Sequence, residues 1–268
     1  MSSLVLKLIL TPALIGAASL AGRRWGPALS GWLVGLPFTS GPITFFLALG
    51  HGTNFAAAAA AGTLAGTVSQ AAFCLAYGWL AMGTRAPYGW LVALVAGAFA
   101  FGAVTVVLQG VALPLVLLVM LVVAALLAAL RLMPSDHAAA LPAKTAAPPR
   151  WDLPLRMAVA TAFVLLLTTA APSLGPRLTG LLAPFPLYGA VLAVFAQQQQ
   201  GTGGAVRVLR GLLLGLFAFA GFFLTLALLL VPSGIAAAFV AAGVLALVLQ
   251  AASLRVLRGD THTRAAAS

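Results

Sequence analysis

The stretch LSGWLVGLPFTSGP, residues 29–42, is an apolar phrase interrupted by glycine and proline, and a similar phrase, LTGLLAPFPLYGAV, occupies residues 178–191. Proline has no backbone N–H and disrupts a helix in which it lies, so each phrase predicts an interrupted helix. The phrases are 149 residues apart, and the same offset aligns Gly26-Pro27 with Gly175-Pro176 and Gly52-Thr53 with Gly201-Thr202. This agreement of glycine and proline positions indicates an internal duplication, for which shared low complexity is the alternative explanation.

The composition is that of a membrane protein. Of the 268 residues, 63% are hydrophobic and only 6% are charged, whereas soluble domains carry about 25% charged residues. A helix needs about 20 apolar residues to cross the hydrocarbon core of a bilayer. The long apolar runs lack the alternation of β-barrel strands. We therefore expect an all-α polytopic membrane protein.

The apolar segments predict about nine transmembrane helices, at residues 4–22, 28–50, 55–82, 88–109, 111–131, 153–172, 179–200, 205–231 and 233–257. Residues 1–110 then form a first four-helix repeat and residues 151–257 a second one, with a connector helix at 111–131. The linker at 132–150 is rich in proline and alanine, which gives it no apolar face to bury. We expect this linker and the tail at 258–268 to be flexible and cytoplasmic.

The arginine and lysine residues orient these helices. With the N-terminus outside and the C-terminus in the cytoplasm, twelve of the 14 basic residues are cytoplasmic and only Lys7 and Arg177 are not, which agrees with the positive-inside rule. Five helices separate the starts of the two repeats, and this odd number inverts the second one. Inverted-topology repeats are typical of transporters, whose sites lie near the bilayer midplane on interrupted helices.

Several classes of protein are excluded or disfavoured by the charged residues. The net charge of +11 comes from basic residues at the ends of apolar segments, where orientation signals belong, so we expect no nucleic-acid partner. The three acidic residues, Asp136, Asp152 and Asp260, lie in the linker, in the tail or at a helix edge. Proton- and cation-coupled pumps usually carry a carboxylate inside the membrane. We also expect no metal, no cofactor and no enzymatic activity, since no catalytic set of residues is present.

The candidate substrate-binding residues are the neutral polar residues and prolines of the apolar segments. Buried glutamine, serine and threonine need partners in lipid and therefore face the interior or the interface. On this basis we select Pro37, Thr39, Ser40, Gln70, Gln109, Pro186, Tyr188 and Gln250. Gln109 and Gln250 end the similar phrases VTVVLQ and LALVLQ. The alternative for the prolines is that they produce packing kinks only.

Each half also resembles a known unit. Leu29 to Pro37 with Gly62 and Gly66, and Leu178 to Pro186 with Gly211 and Gly215, form the pattern L-[ST]-G-x-L, a following proline and a helix with spaced glycines. This pattern resembles the small four-helix bacterial membrane proteins of the GlpM type, a family without an established reaction. The resemblance implies two such units fused in one chain, in the inner membrane of a bacterium.

Three functions remain open from the sequence. The first is a secondary transporter or facilitator for a small neutral or anionic molecule. The second is a non-transporting scaffold or accessory subunit of an envelope enzyme complex, and the third is an anion-selective pore. Beyond the lipid bilayer, the partners would be an unidentified small substrate and, through exposed small-residue faces, a second copy of the chain.

Overall fold

A computed structural model of the chain describes residues 32–84, 88–134 and 152–265 together with Ile9 and Ala13, with the side chains of 152, 153, 155, 156 and 254–265 left out. Within these ranges the chain forms five α-helices. The helices are α1 (Ser40–Gly83), α2 (Gly89–Gly110), α3 (Leu115–Leu132), α4 (Asp152–Leu182) and α5 (Leu187–Ala265). These ranges contain no strand, and each helix includes a stretch long and apolar enough to span a membrane. The prediction of an all-α chain with membrane-spanning helices is confirmed at this level.

Helices α4 and α5 fold back on themselves. The rings of Phe222 and Phe239, both in α5, lie 5.9 Å apart between centroids, although 17 residues of straight helix would separate them by about 25 Å. A Cβ atom placed on Gly189 would lie 2.6 Å from the side chain of Leu212, which is also in α5. The Phe163 ring of α4 lies 6.4 Å from that of Phe185, just beyond the helix end.

Glycine residues make the corners. Gly52 in α1, Gly175 in α4, and Gly201 and Gly234 in α5 have φ between 74° and 85°, with ψ close to 180°. This backbone region is accessible essentially to glycine alone. They are the only described residues with positive φ. Gly52 and Gly201 are counterparts at the offset of 149, so this corner occurs at both positions.

Within the described ranges the structure gives five helices, whereas the sequence predicts about nine for the whole chain, because each helix with a glycine corner continues through it and so spans a predicted boundary. The predicted helix at 4–22 and the linker segment 135–150 lie outside the described residues. Helix α5 extends to Ala265, into the segment 258–268 that the sequence predicts as a flexible tail. The residues 260–265 contain neither proline nor glycine, and nothing in them stops a helix.

Helix α1 lies at the centre of the fold and contacts all four other helices. Its buried side chains include Phe73, Cys74 and Tyr77, each with no exposed surface. Helices α2 and α3 lie at the periphery, where Phe99 is 77% exposed and Val106 is 74% exposed. An apolar surface of this kind suits hydrocarbon rather than water as its solvent.

Candidate functional site at the two helix breaks

The first helix break covers residues 35–39, between a short helical stretch at 32–34 and the start of α1. Here the Leu36 N–H donates to the Leu33 carbonyl (3.0 Å) and the Phe38 N–H to the Leu36 carbonyl (2.8 Å), while the Gly41 N–H donates to the Pro37 carbonyl (2.9 Å). Short-range turn bonds therefore satisfy the carbonyls that proline leaves without a helical partner.

The second helix break covers residues 183–186 and repeats these bonds one for one. The Phe185 N–H donates to the Leu182 carbonyl (3.1 Å), the Leu187 N–H to the Phe185 carbonyl (2.8 Å), and the Ala190 N–H to the Pro186 carbonyl (2.7 Å). Each donor and each acceptor is 149 residues beyond its counterpart in the first break. Both interruptions that the prolines predict are therefore present, with the same backbone geometry.

Each break packs on a helix of the other half of the chain. Gly35 lies against Gly215, whose added Cβ atom would be 2.8 Å from the Gly35 Cα. Gly66 lies against Pro184, and its added Cβ atom would be 2.7 Å from the neighbouring Leu181 carbonyl oxygen. At the offset of 149, the counterpart of Gly35 is Pro184 and the counterpart of Gly215 is Gly66. The two contacts are therefore reciprocal.

A side-chain hydrogen bond joins the two breaks directly. The Ser40 hydroxyl, at the start of α1, donates to the Ala183 carbonyl at 2.8 Å, and this contact is buried. The Thr44 hydroxyl donates to the Ser40 carbonyl at 3.1 Å, within its own helix. Ser40 thus fixes one break against the other rather than presenting its hydroxyl to a ligand.

Beside the first break is a cavity of about 370 Å³. The first break and the start of α1 form one wall of the cavity, and two segments of α5 form the other. The lining residues are Leu36, Pro37, Phe38, Gly41, Pro42, Phe45, Phe222, Phe239, Gly243, Ala246 and Leu247. No lining side chain carries a charge or a polar atom.

Two pairs of corresponding positions differ in side-chain bulk between the cavity and the second break. At the position corresponding to Leu36, the second half carries Phe185. The Phe185 ring lies 5.2 Å from that of Phe101. With the offset of 141 that aligns Gln109 with Gln250, the counterpart of Phe101 is Ala242. The Phe101 and Phe185 rings near the second break therefore correspond to Ala242, which precedes the lining residue Gly243, and to Leu36, which lines the cavity.

A small polar cluster lies one helical turn beyond the cavity lining on both walls. The Gln250 side-chain amide donates to the Trp32 carbonyl (2.8 Å), and the Trp32 indole N–H donates to the Ser253 hydroxyl (2.7 Å). Gln250 lies four residues after Ala246, and Trp32 four residues before Leu36. The Gln250 Oε1 atom is buried and accepts no hydrogen bond from the described residues.

The selected site residues are only partly brought together. Pro37 lines the cavity, Thr39 and Ser40 follow it, and Pro186 and Tyr188 lie at the second break. Gln70 is buried in α1, one turn beyond Gly66, and its Oε1 atom has no partner in the described part of the chain. Gln109 is exposed at the end of α2, whereas Gln250 is buried.

The aromatic lining residues Phe45, Phe222 and Phe239 were missed by the sequence reasoning. In a chain with this composition, nothing in the local sequence separates them from ordinary packing residues.

Two arginine side chains donate hydrogen bonds to backbone carbonyls at or just beyond the C-termini of helices. Arg177 donates to the Leu108 carbonyl at 2.8 Å and to the Val111 carbonyl, at the C-terminus of α2. Arg210 donates to the Met133 carbonyl at 3.0 Å, beyond the C-terminus of α3. Cations at helix C-termini complete the hydrogen bonding of the last carbonyls and interact favourably with the helix dipole. Among the described residues no group of three metal-ligating side chains occurs.

Comparison of this chain with protein-family models, with curated proteins and with solved structures finds no match. The resemblance to GlpM-type proteins therefore stays a prediction from the sequence.

Proposed function

We propose that this chain is an integral membrane transporter or facilitator for a small neutral molecule, built from two repeats of inverted topology. The reciprocal packing of the breaks carries the proposal: Gly35 lies against Gly215, and Pro184 lies against Gly66. A two-fold axis relating the two parts would produce such reciprocal contacts, in which residues i and j touch and their counterparts touch as well.

The distribution of arginine residues favours a two-fold axis that lies in the membrane plane. Arg207 and Arg210 correspond to Ala58 and Ala61 at the offset of 149. The segment after the Gly201 corner therefore carries the arginines typical of a cytoplasmic end, whereas the segment after the equivalent Gly52 corner carries none. An inverted pair of repeats, each with an interrupted helix at the interface, is the architecture in which secondary transporters place their sites. The positive-inside rule then favours an N-terminus outside and a C-terminus in the cytoplasm, and the resemblance to GlpM-type proteins favours the inner membrane of a bacterium.

Of the two substrate classes that the sequence leaves open, the neutral one is better supported. The cavity beside Pro37 has no charged lining residue, and a buried anion without a cationic or hydrogen-bonding partner is strongly disfavoured. Arg177 and Arg210 already donate to backbone carbonyls. The apolar lining likewise gives no support to the anion-selective pore.

A flux assay tests transport. The purified chain is reconstituted in liposomes and the uptake of a panel of small uncharged solutes is compared with uptake by empty liposomes. We expect at least one solute to enter faster, and its flux to fall when Gly243→Phe fills the cavity but not with Gly102→Phe. Uptake equal to that of empty liposomes across the panel would overturn the proposal.

Cysteine labelling tests the inversion separately. Asn54 and Gln198 are exposed and lie beside the corners Gly52 and Gly201. The native Cys74 is fully buried and is replaced by alanine. We expect a membrane-impermeant maleimide to label Asn54→Cys and Gln198→Cys from opposite sides of the membrane. Labelling of both from one side would contradict inverted topology.

The scaffold is the second candidate, and one contact favours it. A Cβ atom on Gly62 would lie 3.2 Å from the Gly180 Cα, so the backbones of the two halves are closely packed at that point. A scaffold should co-purify with a partner in stoichiometric amount and show no flux, and this outcome would separate it from the transporter.

A further inference from the structure

We propose that the N-terminal segment, residues 7–22, packs against the first helix break of its own chain and forms a third wall of the cavity. Of this segment the structure describes Ile9 and Ala13. The internal duplication identifies the segment, because the second half of the chain shows what packs at the corresponding place. Transport activity is not required for this packing.

Three helices surround Phe185 at the second break. Between ring centroids, Phe185 lies 6.3 Å from Phe73 in α1, 5.2 Å from Phe101 in α2 and 6.4 Å from Phe163 in α4. The residue after Phe163, Val164, has no exposed surface. Helix α4 therefore supplies one of the three sides of the second break.

Two of the corresponding sides are described at the first break, and both come from α5. Phe222, the counterpart of Phe73, lines the cavity together with Leu36, and the counterpart of the α2 ring is Ala242, as described above. The third ring belongs to α4, and its counterpart at the offset of 149 is Leu14. The side that α4 supplies to the second break therefore falls to the N-terminal segment at the first.

The two described residues of the N-terminal segment indicate which face points away from the break. Ile9 and Ala13 are helical and exposed, and residues four apart share one face of a helix. Their counterparts in α4, Ala158 and Ala162, are exposed as well. The N-terminal segment therefore presents to its surroundings the same face that α4 presents.

The opposite face of the N-terminal segment suits close packing. The buried face of α4 includes residues at intervals of three or four, and their counterparts in the N-terminal segment are apolar or small. The α4 residues are Ala160, Val164, Leu167 and Ala171, and the counterparts are Thr11, Ile15, Ala18 and Gly22. Small residues allow the backbones of membrane helices to approach closely.

The length of the connection favours the same chain over a second copy. The chain turns at Gly175 within α4, and Gly26-Pro27 corresponds to Gly175-Pro176. The offset is 149 in the N-terminal segment, at this corner and at the break alike, so equal numbers of residues separate each segment from its break. Short connections of this kind join helices that are neighbours in space.

One side of the cavity stays open to lipid in this arrangement. Leu247 lines the cavity and is 64% exposed. Its counterpart at the offset of 141, Val106, is 74% exposed although α4 packs at the second break. The N-terminal segment would therefore leave the Leu247 side uncovered and make the cavity a pocket with its entrance from the bilayer.

Disulfide cross-linking tests the packing. The whole chain, with its native cysteine replaced by alanine, carries Leu14→Cys and Leu36→Cys and is oxidised in membranes with copper phenanthroline. Phe163→Cys with Phe185→Cys is the positive control, and Ala13→Cys with Leu36→Cys is the control for the exposed face. We expect the Leu14 pair to cross-link within one chain as completely as the positive control. The Ala13 pair should cross-link about tenfold less, because cysteines that point apart cannot be bridged.

Each other result of the cross-linking would overturn part of the proposal. A Leu14–Leu36 cross-link between two chains would show that a second copy supplies the wall. Equal cross-linking of the Leu14 and Ala13 pairs would overturn the assigned face. Absence of the Leu14 cross-link while the positive control forms would overturn the packing itself.

Tryptophan substitutions give a second measurement without introduced cysteines. Ile15→Trp should lower the midpoint of unfolding by sodium dodecyl sulfate in mixed micelles as much as Val164→Trp, its counterpart in α4, because both overfill a packed interface. Ala13→Trp and Ala162→Trp should leave the midpoint unchanged, since both positions are exposed. If Ile15→Trp behaved like Ala13→Trp, the N-terminal segment would not pack on the break. Cross-linking as expected without solute flux would support this packing and remove the transport proposal.

Discussion

Ser40 and Ala183 are 143 residues apart in the chain, yet the Ser40 hydroxyl donates to the Ala183 carbonyl at 2.8 Å. This bond ties the start of α1 to the second break. The counterpart of Ser40 is Gly189, which has no hydroxyl, so the bond occurs once and is not repeated by the duplication.

Ser40→Ala should destabilise the association of the two halves. The change leaves the Ala183 carbonyl without its donor in a buried position, which costs about 1–2 kcal/mol. The measurement is the free energy of unfolding in mixed detergent micelles titrated with sodium dodecyl sulfate. Thr44→Val, which removes a bond within one helix, is the control and should have a smaller effect. A larger loss for Thr44→Val would contradict the role of Ser40.

Gly66→Ala and Gly215→Ala should each be destabilising by several kcal/mol or prevent folding, because the new methyl group would overlap backbone or proline atoms of the other half. Gly102→Ala should instead stabilise the chain by about 0.5–1 kcal/mol, since alanine is the better helix former and the site is open. The same unfolding titration measures all three. Wild-type stability in both Gly66→Ala and Gly215→Ala would refute the reciprocal packing.

Replacement of the corner glycines tests the fold-back. Gly52→Ala and Gly201→Ala place a side chain in a backbone region that costs about 1–3 kcal/mol for residues other than glycine. Gly50 is two residues before Gly52, and an added Cβ atom there meets nothing within 4 Å, so Gly50→Ala should be neutral or slightly stabilising. Thermal melting of the purified variants gives the comparison. Equal melting temperatures for Gly50→Ala and Gly52→Ala would argue against the corner.

Removing aromatic bulk at the second break should create a second cavity. The double substitution Phe101→Ala with Phe185→Leu gives the second break the side chains that Ala242 and Leu36 have at the corresponding positions near the cavity. We expect a loss of about 3–5 kcal/mol in stability and new labels near residues 185–194 from an alkyl diazirine probe dissolved in the bilayer. If the label distribution stayed as in the wild type, the difference in ring content would not explain the cavity.

The local chemistry of proline and glycine made part of this fold predictable. Pro37 and Pro186 cannot donate the helical hydrogen bond, whatever surrounds them, and both breaks are present. The turns expected between residues 50 and 55 and between 200 and 205 lie at Gly52 and Gly201. In these cases the residue itself restricts the backbone, so the sequence suffices.

The environment of the polar residues was not predictable in this way. Gln109 and Gln250 end similar phrases, yet Gln109 is exposed and Gln250 is 3% exposed. The difference comes from what packs against each helix end, where Trp32 covers Gln250. Leu36 lines the cavity and Ala242 precedes the lining residue Gly243, whereas their counterparts are the phenylalanines Phe185 and Phe101. The sequence alone does not show that these positions lie near a cavity.

Leu36 and Ala242 are smaller than their counterparts Phe185 and Phe101, so the two breaks are not equivalent. Under the inverted topology proposed above, the cavity beside the first break and its ring-filled counterpart would lie towards opposite leaflets. A lipid-soluble molecule would then reach the cavity from one leaflet only, and the fused chain would have a directionality that a symmetric pair of separate subunits lacks.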